Sequence, residues 1–443
     1  MSTTHQRSSI PSQRTRLSAL TLTVAFAAAL VVPSVSAPAP ANAAIDATGW
    51  WYPAMGVDDA HAAGWTGEGV KIAVIESHFN PDAPAVAGAN VSVNQSFECG
   101  GTPGVTTETS DDALHGVGVV QMLAGPFGLD GDVGGIAPKA AIEVFTLGGP
   151  DCLLTDIDSN DQSPLGRAII GAVDAGNDII SISYGQTPFS GDYEAIAYAI
   201  AHDVVVVSSS PNKLDQQHLL YPVGANGVVS VAAVAGNLDL LDDNGTAVIT
   251  PEITVVAPGI SVGTVGKTGD WSGLSTSNGS SVSAPLVAGA LALTKQKFPD
   301  ATGNQLIHAL INSTASAQNN LGRDTVNGYG YGLISLAALL MSDPLSYPNE
   351  NPLMDKSFGM PTEADVAAVK GITPPPTKEP TESASPQPSK TADGGDEQPS
   401  TPGEVVSDGP GALPWVIGGA IMVVGVGIIV FSVMRFRRDA GRS

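Results

Sequence analysis

The chain has 443 residues, of which 43% are hydrophobic and 14% charged, and this composition excludes a wholly disordered chain and a long coiled coil. The length suffices for a domain of roughly 250–350 residues with appendages. Acidic residues outnumber basic residues by 43 to 19, for a formal net charge of −24, and such a surface would repel phosphate backbones, so we expect no nucleic-acid partner.

The N-terminal segment has the pattern of a signal peptide. Arginines precede an apolar run over 17–32, and the Ala-Asn-Ala sequence at 41–43 fits a small-x-small cleavage site. We therefore assign residues 1–43 to a signal peptide and expect the following body to be exported. A retained membrane anchor is the alternative interpretation of the same run.

The body of the chain, 44–340, alternates short apolar runs with helical patterns. Continuous apolar runs favour strands that are buried on both faces. The predicted strands are 71–75, 142–147, 179–183, 204–208, 228–234 and 253–257. Helical patterns over 167–175, ending at Gly176, and over 192–202 lie between them. This order predicts an α/β fold with a mostly parallel, doubly wound sheet and helices on both faces, continued by an extension over 341–370.

Functional sites in such sheets form beyond the carboxyl ends of the strands. The polar residues that we predict to form a site there are Glu76, His115, Asn212 and Ser281. Glu76 directly follows the first strand, and His115 opens an apolar helix behind Asp111 and Asp112 as cap candidates. Ser281 lies in a tight turn before a helix of small residues, where we expect Pro285 in the first turn.

These residue types suit acyl transfer. A serine hydroxyl needs a base within hydrogen-bond reach, histidine is the base best suited to neutral pH, and a carboxylate fixes the imidazole tautomer. An amide donor and a helix N-terminus stabilise the oxyanion. Each residue alone also has an ordinary structural explanation, as a strand-end acid, a helix-start histidine or a turn serine. Their order along the chain is what favours the catalytic interpretation.

The two cysteines, Cys99 and Cys152, flank the segment that carries His115. In an exported protein we expect them to form a disulfide. A catalytic thiol is not expected, because neither cysteine lies in a nucleophile motif. We also expect no cofactor, and no metal-ligand spacing motif occurs.

The C-terminal part of the sequence predicts a membrane anchor. Residues 371–414 are rich in Pro, Ser and Thr and read as an extended tether. Residues 415–434 are apolar and long enough to cross a bilayer core of about 30 Å as a helix. The arginine-rich tail, 435–443, predicts a cytoplasmic C-terminus and an extracytoplasmic body at the cell membrane. A buried core helix is the alternative for 415–434.

The sequence resembles the subtilisin-like serine proteases. The matching segments are 69–77, His115-Gly116, 135–138, 180–185, 204–212, 256–259, 278–289 and 328–332. The resemblance implies a serine endopeptidase acting on a protein or peptide substrate, with Glu76, His115 and Ser281 as triad and Asn212 as oxyanion donor. It further implies substrate binding by Ser183, Tyr184, Gly185 and Pro211.

The layout is similar to the mycosins, the membrane-anchored subtilases of type VII secretion systems in actinobacteria. Signal peptide, protease domain, Pro-rich tether and C-terminal span follow in the same order, and the short interval from Ala44 to Gly69 leaves no room for a folded prodomain. This resemblance implies a type VII secretion membrane complex as a partner.

Two residues depart from the family pattern. Glu76 replaces the family's Asp and adds one methylene, about 1.5 Å of reach. Pro211 replaces the Gly that precedes the oxyanion Asn, and proline fixes φ and removes an N–H. The departures leave two functions open, an active endopeptidase and a catalytically impaired subtilase fold that serves as a scaffold or binding component. A metal hydrolase that uses Glu76, His78 and His115 is a third, weaker hypothesis.

Overall fold

The computed structural model describes residues 49–126, 134–149, 154–315 and 322–371. The predicted signal peptide, almost all of the tether, the predicted span at 415–434, the basic tail and Cys152 lie outside the described residues. Within the described part of the chain, no helix is both long enough and apolar enough to cross a bilayer.

The centre of the described structure is a seven-stranded parallel sheet. The strands of the described structure are β1 (Lys71–Glu76), β2 (Val91–Asn94), β3 (Ala141–Thr146), β4 (Ile179–Ile182), β5 (Val205–Ser209), β6 (Val229–Val234), β7 (Asp242–Asp243), β8 (Thr246–Ala247), β9 (Val255–Pro258), β10 (Val262–Lys267) and β11 (Asp270–Ser277). The order in the large sheet is β2-β3-β1-β4-β5-β6-β9. Two short antiparallel pairs, β7-β8 and β10-β11, are separate from it.

Helices cover both faces of the sheet. They are α1 (Trp51–Met55), α2 (Val57–Ala62), α3 (Asp111–Ala124), α4 (Pro164–Asp174), α5 (Ser190–Ala201), α6 (Ser280–Lys297), α7 (Gly303–Asn312), α8 (Leu336–Met341) and α9 (Glu363–Val369), with single 3₁₀ turns at Pro84–Val86, Leu214–Gln216 and Pro344–Ser346. Along β1, Ile72 and Val74 face the core shared with α3 and α6, and Ala73 and Ile75 face the core shared with α4 and α5. The expected α/β fold with a parallel, two-faced sheet is confirmed.

The sequence predicts six of the seven strands of the large sheet to within a few residues. Four of these six, β4, β5, β6 and β9, are buried throughout, β1 is buried after its exposed first residue, and β3 has two half-buried residues. Their mostly apolar sequences are the signal that the prediction uses. It misses β2, an edge strand whose residues are only half-buried or exposed and whose sequence, Val-Ser-Val-Asn, lacks a continuous apolar run. The antiparallel pairs are missed for the same reason.

Two predicted helix details are wrong. The helix that carries His115 begins at Asp111 and is capped by Ser110, whose Oγ accepts the N–H of Ala113 at 3.3 Å. The helix after the Ser281 turn begins at Ser280, so Pro285 is its sixth residue and lies beyond the first turn. Because this proline has no N–H, the Ser281 carbonyl lacks its helical donor.

The C-terminal segment over 344–371 packs onto the domain instead of leaving it at once. The N–H of Gly227 donates to the carbonyl of Leu353 at 2.9 Å, and the N–H of Asn226 donates to the carbonyl of Met360 at 2.8 Å. Leu353 is fully buried. The described part of this segment therefore packs against the region that precedes β6.

Lys356 anchors this segment from inside the domain. Its side chain is 4% exposed, and Nζ donates to the carbonyls of Val223 and Val228 and to Ser230 Oγ. Burial lowers the pKa of Lys356 to about 7, against an opposing effect of the Glu252 charge. A lysine at this depth stabilises the fold more when it is neutral.

Stability should therefore rise with pH because of Lys356. The folded pKa of about 7 lies below the ordinary 10.5, so between these values the unfolded chain binds more protons than the folded chain. We expect the free energy of unfolding of wild type, relative to Lys356→Met, to increase as the pH rises from 7 towards 10. Denaturant unfolding at several pH values measures this difference. Lys139→Met, at an exposed lysine, is the control, and a flat difference for Lys356→Met would contradict the expectation.

Candidate active site

Glu76 and His115 meet at the carboxyl end of β1. Glu76 is the last residue of the strand and is 1% exposed, and His115 Nδ1 donates to its Oε2 at 3.0 Å. A proton held on Nδ1 leaves Nε2 free to accept one, which is the tautomer that a general base requires. The His115 side chain is 37% exposed, so the ring remains accessible from solvent.

A close approach between α3 and the chain after β1 makes this contact possible. A Cβ on Gly116 would lie 2.1 Å from the carbonyl oxygen of His78 and 3.6 Å from Glu76 Cβ. Any side chain at residue 116 would force the helix away from β1. Gly116 therefore allows the neighbouring imidazole to reach the Glu76 carboxylate.

The surroundings of His115 favour its protonated form. Burial lowers the pKa of His115, but the charge of Glu76, the hydrogen bond to it and the charge of Asp112 together outweigh burial, so the pKa is raised. The second carboxylate oxygen of Glu76, Oε1, is buried and has no hydrogen-bond partner in the structure. His115 is thus the hydrogen-bond donor that stabilises the ionised Glu76 carboxylate in the described structure.

Ser281 is the second residue of α6, at the positive end of an 18-residue helix. In the described structure, no hydrogen bond joins Ser281 to His115. Hydrogen bonds between a catalytic serine and its base are often long in structures without substrate. Helices α3 and α6 pack against each other, so both residues belong to the same packed unit.

The Ser281 carbonyl is tied to the sheet by Ser183. In a regular helix the N–H of residue 285 would donate to this carbonyl, but Pro285 has no N–H. Ser183 Oγ donates to it instead, at 2.9 Å. Pro285 therefore leaves the Ser281 carbonyl without a helical hydrogen bond. This carbonyl is free to accept from Ser183, the residue after β4, and the bond holds Ser281 against the sheet.

Asn212 lies beside the serine with its amide group fixed. Its Oδ1 accepts from the N–H and from the Oγ of Ser280, both at 2.9 Å. The position that a Cβ on Gly279 would occupy is 3.0 Å from Asn212 Nδ2 and 3.3 Å from Ser281 Oγ. Glycine at 279 thus leaves room between an amide donor and a hydroxyl, where an oxyanion needs it.

A cavity of about 200 Å³ opens next to Asn212. The lining residues come from two chain segments, called here the two walls: Ser183, Tyr184 and Gly185 follow β4, and Ser209, Ser210, Pro211, Asn212, Gln216 and Leu219 lie at the end of β5 and after it. The structure therefore brings together the residues that the sequence predicts to bind substrate. None of the lining residues carries a charge.

The other predicted features are placed less completely. Cys99 is 3% exposed and disulfide-bonded, whereas Cys152 lies outside the described residues, so their pairing stays a prediction.

The metal-site hypothesis involves His78, whose Nδ1 lies 3.9 Å from Asp112 Oδ2. Among the described residues, no group of three or more His, Cys, Asp or Glu is placed to hold a metal ion.

Sequence reasoning missed two residues of this site. Ser280 fixes the Asn212 amide, and its position directly before Ser281 was the only available signal. Gln216 accepts the N–H of Asn212 on Oε1 at 3.3 Å. No sequence signal points to Gln216, because the contact depends on how the loop after β5 folds back.

Removal of the Ser183 hydroxyl should loosen Ser281. Ser183→Ala leaves the Ser281 carbonyl without its donor, which costs about 1–3 kcal/mol for a buried group. We expect a lower free energy of unfolding and slower labelling of Ser281 by a fluorophosphonate. Ser181→Ala is the matched control, because Ser181 lies two residues earlier on β4 and its buried Oγ has no hydrogen-bond partner. Equal effects of the two substitutions would contradict the assignment.

Comparison with known proteins gives the family. The profile of the subtilase family, Peptidase_S8, matches residues 67–332, more than half of the chain. Fervidolysin from Fervidobacterium pennivorans is 29% identical over 314 residues, which are 66% of this chain and 43% of fervidolysin. The chain thus spans less than half the length of that relative. Subtilisin DY from Bacillus licheniformis is 28% identical over 293 residues, 65% of this chain and 96% of subtilisin DY.

Solved structures agree with this comparison. The crystal structure of fervidolysin has a TM-score of 0.53 at 25% identity and covers 66% of this chain and 46% of its own. The crystal structure of MycP1 from the ESX-1 type VII secretion system, a mycosin, has a TM-score of 0.50 at 23% identity and covers 69% and 88%. The resemblance predicted from the sequence motifs is confirmed, and the chain belongs to the subtilase family.

Proposed function

We propose that the protein is a membrane-anchored, extracytoplasmic serine endopeptidase that cuts an exported protein substrate through a Ser-His-Glu triad. The observation that carries the proposal is the 3.0 Å hydrogen bond from His115 Nδ1 to Glu76 Oε2. It orients the imidazole with a glutamate in the place where the family has an aspartate. The triad order along this chain, acid, His and Ser, is also that of subtilisin.

In the proposed reaction, His115 Nε2 takes the proton of Ser281 Oγ as that oxygen attacks the scissile carbonyl carbon. The negative charge that develops on the carbonyl oxygen is stabilised by Asn212 Nδ2 and the N-terminus of α6. His115 then returns the proton to the leaving amine, and the acyl-enzyme forms. Water activated by His115 hydrolyses the ester and regenerates Ser281.

The location is proposed from the ends of the sequence. Residues 1–43 as signal peptide, 371–414 as tether and 415–434 as span would hold the domain outside the membrane, with 435–443 in the cytoplasm. The similar fold of MycP1, a protein of a type VII secretion system by its description, supports a partner of that kind. The lipid bilayer and a type VII secretion complex are accordingly the proposed partners.

A scaffold without catalytic activity is the second candidate. Two observations favour it: Ser281 makes no hydrogen bond to His115 in the described structure, and Glu76 Oε1 is buried without a partner. A scaffold would need the fold and its surface but not the reactivity of Ser281. The two candidates differ in whether Ser281 reacts.

Fluorophosphonate labelling of the purified ectodomain decides between them. An enzyme is labelled as wild type and is not labelled as Ser281→Ala or His115→Ala. Glu76→Gln should lower kcat/KM by roughly 10⁴-fold, because its amide favours the wrong tautomer. It should also move the acid limb of residual activity to lower pH, because the Glu76 charge raises the pKa of His115. An unlabelled wild type that cleaves no peptide would support the scaffold.

Glu76→Asp tests whether the site is built for glutamate. The observed hydrogen bond is already 3.0 Å long, so removing a methylene should leave the carboxylate about 1.5 Å short of His115. We expect kcat/KM to fall about 100-fold, the effect of an ångström-scale displacement in an active site. A rate equal to or above that of wild type would show that glutamate weakens the triad.

The cavity beside Asn212 should exclude charged side chains. Its lining residues carry no charge, so a buried charge there would find no counter-ion. In a series of Ala-Ala-Pro-X p-nitroanilides, we expect X = Lys and X = Glu to have lower kcat/KM than uncharged residues of similar length such as Met and Gln. Preference for either charged residue would contradict this assignment of the cavity.

A further inference from the structure

Asp192 is a buried carboxylate that the proposed reaction does not use. It lies in the first turn of α5 and is fully buried. None of the ion pairs in the described part of the chain involves it. A buried charge without an ion-pair partner destabilises the fold unless hydrogen bonds satisfy it.

Every contact of the Asp192 carboxylate is a hydrogen bond that it accepts. Oδ1 accepts from the N–H and the Oγ of Ser163, at 2.9 and 2.8 Å. Oδ2 accepts from Gln186 Nε2 at 3.2 Å and from the N–H of Phe189 at 3.1 Å. Burial raises the pKa of Asp192, and these hydrogen bonds offset part of the rise. The carboxylate thus links the start of α4 and the start of α5 to the segment after β4.

Gln186 connects this hub, formed by Asp192, Ser163 and Gln186, to the cavity. Its main chain pairs with Tyr221 in both directions, with Gln186 N donating to Tyr221 O at 2.9 Å and Tyr221 N donating to Gln186 O at 3.1 Å. The pairing joins the two walls where they touch, because Gly185 and Leu219 both line the cavity and a Cβ on Gly185 would lie 2.3 Å from the Leu219 carbonyl oxygen. Tyr221 is held a second time, since its OH donates to the main-chain carbonyl of Asp192 at 2.7 Å.

From these contacts we infer that Asp192 is a positioning residue for substrate selectivity: through Gln186 and Tyr221 it sets how the two cavity walls lie against each other. The inference rests on the proposed function only in naming the cavity as the place where a substrate side chain binds. Asp192 itself does not line the cavity, so it acts through the walls and not on the substrate.

The chemistry of the hub makes Asp192→Asn an informative substitution. Asparagine has the same shape but replaces one acceptor oxygen by a donor NH₂ group. In one orientation this NH₂ faces the N–H of Ser163, and in the other it faces the N–H of Phe189. Neither main-chain donor can rotate away, and a flip of the Gln186 amide relieves only the contact to Gln186. The hub must therefore shift, and the paired walls must shift with it.

The test compares substrates that use the cavity with one that does not. In the Ala-Ala-Pro-X p-nitroanilide series, glycine at X places no side chain in the cavity. We expect Asp192→Asn to lower the ratio of kcat/KM for the best X to that for glycine about tenfold, within the range for displaced pocket contacts. Retained fluorophosphonate labelling of the variant would show that Ser281 and His115 remain assembled.

Two further variants keep the test decisive. Asp161→Asn is the matched control, because Asp161 also holds the start of α5, through the N–H of Ser190 at 2.9 Å, but has no contact with Gln186. It should leave the selectivity ratio unchanged. Gln186→Met keeps the volume and removes the link, so it should lower the ratio even if Asp192→Asn does not fold.

Binding of the product peptides Ala-Ala-Pro-X, measured by calorimetry, gives the same comparison without turnover. An inactive wild type whose peptide binding still depends on Asp192 would remove the proposed function and support the inference. An unchanged selectivity ratio in both Asp192→Asn and Gln186→Met would overturn the inference while leaving the endopeptidase in place. A wild type that binds all peptides equally would also overturn it.

Discussion

The arrangement of this site depends on how closely two helices approach the sheet and its flanking chain. Helix α3 lies so near β1 that a Cβ on Gly116 would be 2.1 Å from the His78 carbonyl. Helix α6 is packed as tightly, since a Cβ on Gly289 would be 2.0 Å from Ile136 Cγ2. Small residues at these contacts allow His115 and Ser281 to lie over the carboxyl ends of the strands. Glu76, Ser183 and Asn212 lie at or just beyond the carboxyl ends of β1, β4 and β5, which are neighbours in the sheet.

The sequence predicts those parts of the structure that rest on local patterns. Most buried parallel strands are largely apolar runs, so six of them are found. The motif order predicts Glu76, His115, Asn212 and Ser281 as site residues. The half-buried edge strand β2 has no such run and is missed. Pro285 is placed too early in its helix because a local rule assumes that the Ser281 carbonyl needs a helical donor, whereas Ser183 supplies one from a distant strand. The contact of Gln216 with Asn212 depends on the course of an irregular loop, and the contacts of Asp192 with Ser163 join residues 29 positions apart, so no sequence pattern predicts either.

The Glu76 carboxylate influences two titratable side chains. One of its oxygens accepts from His115 Nδ1, and the other is buried without a hydrogen-bond partner in the described structure. Burial lowers the pKa of His115, but the charge of Glu76, the hydrogen bond to it and the charge of Asp112 raise this pKa overall. Burial raises the pKa of the Tyr184 phenol well above its usual range, and the Glu76 charge raises it further. The carboxylate therefore favours the imidazolium form of His115 and the neutral phenol of Tyr184.

The contacts of the C-terminal segment would resist a mechanical pull on the end of the domain. Between the last residues of the family match and Gly371, the chain is fastened by Leu353, by Lys356 and by Met360 to the region around Asn226. Phe358 packs edge-on against Tyr193, which packs edge-on against Tyr221. A mechanical pull applied beyond Gly371 would load these contacts one after another. The hydrogen bond from the Asn226 N–H to the Met360 carbonyl would be loaded before the bond from the Gly227 N–H to the Leu353 carbonyl. Because Asn226 and Gly227 lie just before β6, these contacts would have to break before the pull reached the central sheet.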